Sequence, residues 1–178
     1  MIFLFRIISD EVQGFYRDVV TEGGNTFLEF HQALQKNLGY DASQLASFFI
    51  TNEHWEKQQE ITLIDMMQDP DLPVITMEQS TLEEYITEIS QRMIYVFDFF
   101  SERAFFIEFI EEADQTSPKK TPFIAKSSGD PPPQLALDQL MDDSMLDVDD
   151  PDPDEGGDDL RLDDLDPDMF GSEMPEDY

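Results

Sequence analysis

Apolar positions alternate at the start of the chain. Phe3, Phe5 and Ile7 lie on one side of IFLFRII, and Leu4, Arg6 and Ile8 on the other, as in a strand with one buried face. A turn containing Gly14 leads into FYRDVVT, which predicts a second strand paired with the first as a hairpin. The period then changes. Thr26 and Glu29 have the spacing of a capping box, and Phe27, Phe30, Leu34 and Leu38 follow at helical spacing up to Gly39. SFFI (47–50) predicts a short buried strand, whereas ITLIDMM and the DPDLP turn form a connection with no legible period. Ser80 with Glu83 predicts the cap of a second short helix, presenting Leu82, Tyr85, Ile86 and Ile89 on one face. RMIYVFDF and AFFIEFI flank a tight FSER turn and predict a hairpin, with Phe97 and Phe106 as core residues. The order ββαβ…αββ implies an α+β fold: a small mixed or antiparallel sheet of hairpins packed under one or two helices.

Composition divides the chain. Thirteen of the 15 Phe, four of the five Tyr and the single Trp precede residue 115. The 53 residues after Ala125 carry 19 acids, two bases and seven of the 11 Pro. Such a segment cannot repay the entropy of folding. The expected organisation is therefore a folded domain over 1–113, a linker over 114–133 and a disordered acidic tail over 134–178. The whole chain has a formal charge of −31, which argues against nucleic acid or an anionic membrane as a direct partner and favours a basic protein. With no Cys, disulfides, zinc–thiolate sites and thiol nucleophiles are excluded. The residues before Arg6 are too few for a secretory h-region, and no apolar run reaches the length of a membrane span. A cytoplasmic protein is expected.

TFLEFHQALQKNLGYDASQLASFFI resembles a stretch of the plasmid pRiA4b ORF-3-like family that runs Thr-Leu-x-x-Leu-His, a helix, Gly-Trp, Asp, then Leu and Phe. The matching positions are Thr26, Phe27, Leu28, Phe30, His31, Gly39, Tyr40, Asp41, Leu45 and Phe48. Upstream, GFYRDVV is similar to the family's Trp-Arg-Arg-Ile strand, with Tyr16, Arg17 and Val19 in register. Downstream, Tyr95 to Phe99, including Asp98, is similar to its Tyr-x-Tyr-Asp-Phe strand. Two departures stand out. The family's Gly-Asp-x-Trp-x-His continuation is replaced by Phe100, Ser101, Glu102 and Arg103, and a family His after Gly-Trp-Asp is Gln44. The resemblance implies a mobile-element passenger protein that has lost part of any His/Asp site.

Few residues offer chemistry. His31 falls on the apolar helix face, as a packed histidine bonded to backbone or as an acid–base group paired with Asp98. Asp98 interrupts an apolar strand, where Arg17 and Arg103 would neutralise it. Glu53-His54-Trp55-Glu56 places a His between acids in a polar loop, which reads as a solvated loop or a divalent-ion site, with Trp55 as a lid on the core. The tail segment DPDPDEGGDDLRLD lacks two side-chain ligands of a calcium loop. No cofactor is implied. In LALDQLMDDSMLDV, the residues Leu137, Leu140, Met141 and Met145 share a helical face among acids. This is the pattern of a segment that folds on a basic, grooved partner, or of a solubilising tail. The reading is a non-enzymatic interaction or regulatory module recruiting a basic protein. Its alternatives are a nucleic-acid mimic that antagonises a DNA-binding protein, and a small enzyme using His31 and Asp98.

Overall fold

Burial follows the period-2 pattern in the first segment, where Phe3, Phe5 and Ile7 are removed from solvent and the segment forms β1 (Ile2–Ile8). The computed structural model describes residues 1–66, 74–113 and 119–135, all within one unit. β2 (Tyr16–Glu22) pairs antiparallel with β1, closing the expected N-terminal hairpin. β3 (Ser47–Thr51) and β4 (Lys57–Thr62) make a second hairpin, and β5 (Arg92–Asp98) and β6 (Arg103–Ala113) a third. With β7 (Phe123–Ser128) they form one seven-stranded sheet, in the order β4-β3-β5-β6-β1-β2-β7. Every ladder between these strands is antiparallel.

The twelve-residue helix α1 (Phe27–Leu38) starts and stops where its signals predict. Thr26 Oγ1 accepts from the Glu29 N–H, the Glu29 carboxylate accepts from the Thr26 N–H, and Gly39 ends the helix at φ 70°. α1 lies across one face of the sheet. Its Phe30 ring packs on Phe5 of β1 and Phe48 of β3, with centroids 5.3 and 5.7 Å apart. The single turn α2 (Leu82–Tyr85) is capped one residue later than expected, by Thr81 with Glu84 rather than Ser80 with Glu83. The Ser80 carbonyl instead accepts from the Phe27 N–H, while the Leu82 N–H donates to the Asn25 carbonyl. The two helix starts thus satisfy one another's orphan donors. Ile89 falls outside the apolar face and is exposed.

Three further expectations need correction. β4 was hidden because KQQEIT is an edge strand with one buried side chain, Ile61, so it lacks apolar alternation. β7 occupies part of the stretch expected to be a linker: Phe123–Ser128 pairs with Tyr16–Val20 of β2. Phe106 does not join Phe97 in the core. Phe105, Ile107 and Phe109 point inward, so the alternation of β6 turns Phe106 to the other face, edge-on to Trp55 at 5.0 Å. Trp55 therefore covers that face rather than the core beneath α1. No helix among the described residues covers it. The tail, with Leu137, Leu140, Met141 and Met145, lies outside the described residues.

Candidate functional site

Helical spacing places His31 beside Phe27, Phe30 and Leu34, and the structure buries it at 2% exposure. Its Nδ1 lies 2.8 Å from the hydroxyl of Tyr95, a fully buried residue of β5. That hydroxyl accepts from Gln35 Nε2 at 2.6 Å, so its own proton is left for His31 Nδ1. The imidazole is then neutral, with its proton on Nε2. Burial pushes the His31 pKa down to about 4 and raises that of the Tyr95 phenol. The packed reading of His31 holds, but its partner is a phenol rather than backbone.

Asp98 belongs to a different network. Its Oδ1 accepts from the backbone N–H groups of Phe100 and Ser101 at 3.0 and 3.2 Å, which closes the tight β5–β6 turn. Arg103 Nη1 stands 3.9 Å from its other oxygen. Backbone donors and one arginine thus satisfy a buried carboxylate. Arg17 takes no part; it donates to Asn37 Oδ1 and to the carbonyls of Tyr16, Ser128 and Gly129. His31 and Asp98 share no hydrogen bond, and the paired acid–base arrangement is not formed.

The remaining family-motif residues gather at one end of the sheet, together with residues no motif had marked. Gly39 turns the chain out of α1, and Tyr40 then packs on Phe97 and Phe105, with centroids 5.4 and 6.3 Å apart. Burial raises the Tyr40 pKa. Its hydroxyl donates to the carbonyl of Pro132. The backbone N–H of Asp41 donates to Gln134 Oε1 at 2.6 Å, and the Asp41 carbonyl accepts from Gln134 Nε2 at 3.0 Å. Arg103, gripped by the Glu11 carboxylate at 2.6 Å, also reaches the Gln134 carbonyl at 3.4 Å. After β7 the chain turns at Gly129, φ 69°, where a Cβ would stand 3.2 Å from the Phe15 backbone. Residues 129–134 then run as a strap over Tyr40 and Asp41. Tyr16 lies on the opposite face, half-buried under Arg6.

Glu11, Asn37, Pro132 and Gln134 escaped sequence reasoning because their partners are far off in sequence and two of them sit in the expected linker and tail. The Glu53–Glu56 loop is exposed at His54, whose Nε2 lies 3.4 Å from Glu53. Among the described residues no group of three or more His, Asp or Glu could hold a metal ion.

A crystal structure of a protein of unknown function, MM3350 from Methanosarcina mazei Go1, is similar to this chain with a TM-score of 0.57. The identity is 16%, over 71% of this chain and 68% of that one. At that identity the likeness speaks for the fold. No curated protein matches the sequence. The family described as plasmid pRiA4b ORF-3-like protein matches residues 6–164. That match runs from β1 through β7 and the strap and beyond the expected domain end at 113: the chain belongs to the plasmid pRiA4b ORF-3-like family.

Proposed function

We propose that the protein is a non-enzymatic interaction or regulatory module that recruits a basic protein partner. The observation that carries this reading is the uncovered face of the sheet. Ile8 and Ile110 are exposed there, Phe106 and Trp55 are half-buried, and Glu108 and Glu111 stand among them. At its margin a cleft of about 480 Å³ is lined by Asp10, Glu11, Glu102 and Phe106. Apolar anchors rimmed by carboxylates suit a partner that is itself apolar and basic. The formal charge of −31 would speed its encounter, and the apolar contact would set its residence time. The tail, with Leu137, Leu140, Met141 and Met145, would add a second apolar and acidic element of the same kind. The buried His31–Tyr95–Gln35 network supports a structural rather than catalytic role for His31. A mobile-element setting and a cytoplasmic location belong to this same reading; no helix among the described residues is long and apolar enough to cross a membrane.

The test is to titrate the full-length protein with a basic amphipathic peptide and with a hydrophilic polylysine of equal charge, at low and moderate salt. The amphipathic peptide should keep binding at moderate salt, and Phe106→Ser or Leu140→Ser with Met141→Ser should weaken it. If both peptides bind alike and lose affinity with the same steep salt slope, the nucleic-acid mimic replaces this reading. If neither binds, the reading fails.

A further inference from the structure

We propose that the surface made by Arg17, Tyr40, Asp41 and Arg103 is a receptor site for a proline-rich peptide in the polyproline II conformation, occupied in cis by this chain's own Asp130–Gln134. Three consecutive prolines fix φ and push each preceding residue into extended backbone, so Pro131–Pro133 is preformed for such a site. The structure gives these residues no helix or strand, buries Pro132 and leaves Pro133 exposed. That is the facing expected of a three-residue turn laid on a surface.

The receptor side has the matching parts. Tyr40 packs against Phe97 and Phe105 and donates its hydroxyl to the Pro132 carbonyl. An aromatic wall with a donor aimed at a proline carbonyl is how such helices are recognised in general. Each end of the run is read separately. Arg17 donates to the Ser128 and Gly129 carbonyls just ahead of the run, while the Gln134 side chain makes two hydrogen bonds to the Asp41 backbone and its carbonyl faces Arg103. The ligand class is therefore a peptide of the pattern Pro-Pro-x-Gln. The chain's own copy follows β7 directly, so it acts at an effective concentration of about millimolar, and a partner peptide must compete with it. The site would exchange its own segment for that of a partner. This inference uses the strapped end rather than the uncovered sheet face, so its failure would leave the basic-partner reading standing.

The experiment uses the full-length chain carrying Pro132→Ser and Gln134→Ala, titrated with a labelled synthetic peptide of residues 127–136. The altered chain should bind it saturably, while the unaltered chain should need around millimolar peptide. Adding Tyr40→Phe to the altered chain should weaken binding roughly tenfold, the scale of one hydrogen bond. A peptide with alanine at all three proline positions should not bind. A folded altered chain that ignores the peptide, or binds it equally well with Tyr40→Phe, overturns the proposal. If the altered chain shows no cooperative thermal transition, the readout moves to the unaltered chain. The side-chain amide resonances of its own Gln134, displaced from Asp41, should then shift with several (~5) millimolar peptide, and resonances that stay fixed also overturn the proposal.

Discussion

His31 gives the chain a pH-dependent stability. Its folded pKa of about 4 lies below the usual 6.5, because burial disfavours the imidazolium. Between those values the unfolded chain binds a proton that the folded chain does not, so stability falls as pH drops from about 6.5 towards 4. The loss attributable to this residue is at most roughly 3 kcal/mol. Because carboxylates begin to titrate in the same range, the check is a comparison: urea unfolding of the native chain and of His31→Gln from pH 7 to 4.5. The native chain should lose more stability than the variant, and parallel curves would dismiss the idea. The burial of His31 was legible from its spacing with Phe27 and Leu34. Its partner was not, because Tyr95 is 64 residues away. The two phenylalanines expected in the core separate in the same way. Phe97→Ala should cost roughly 3–5 kcal/mol and Phe106→Ala only about 1 kcal/mol, as measured by chemical denaturation. Equal losses would show that the outward face is packed as tightly as the inner one.

Elements with one wholly buried face announced themselves in the sequence, and elements at the rim did not. α1 carries four apolar residues at helical spacing between a cap and a glycine, so its limits were readable to the residue. KQQEIT and FIAKSS are the two edges of the sheet, and each buries too little for its period to show. Their polar composition follows from that place, since an apolar edge would invite pairing between molecules. The second cap was misplaced by one residue because Ser80 and Thr81 both precede an acid at the right spacing. The first cap can be tested directly. Thr26→Ala removes the hydroxyl that accepts from Glu29 and should cost about 1 kcal/mol. Urea unfolding of the variant beside the native chain reads the loss. A loss near zero would show that water replaces the hydroxyl freely.

For the molecule as a whole, the place where the fold ends was the least legible feature. Composition put a boundary near 113, because prolines, lysines and acids dominate afterwards. Yet β7 pairs with β2 beyond it, and Arg17, Tyr40 and Asp41 all bond to residues 128–134. These contacts join residues about a hundred apart, which no local pattern can signal. A chain ending after Leu135 should therefore unfold cooperatively, at a temperature close to that of the full-length protein. One ending after Ala125 would lose the Lys126–Ser128 pairing and the whole strap, and should melt about 10 °C lower. Equal melting temperatures in calorimetry would mean that the strap and half of β7 add nothing to the fold.

The strand order also has a consequence during synthesis. The β1–β2 hairpin is made first, yet its neighbours on either side, β6 and β7, come from the end of the described chain. Translation at about 5–20 residues per second separates Glu22 from Phe123 by roughly 5–20 s. Until β6 is made, late in that interval, the nascent hairpin has no lateral partner of its own, while Phe3, Phe5 and Val19 await their core. The ribosome-bound chain is therefore most exposed to wrong strand pairing, and most in need of a chaperone, before β6 and β7 have emerged.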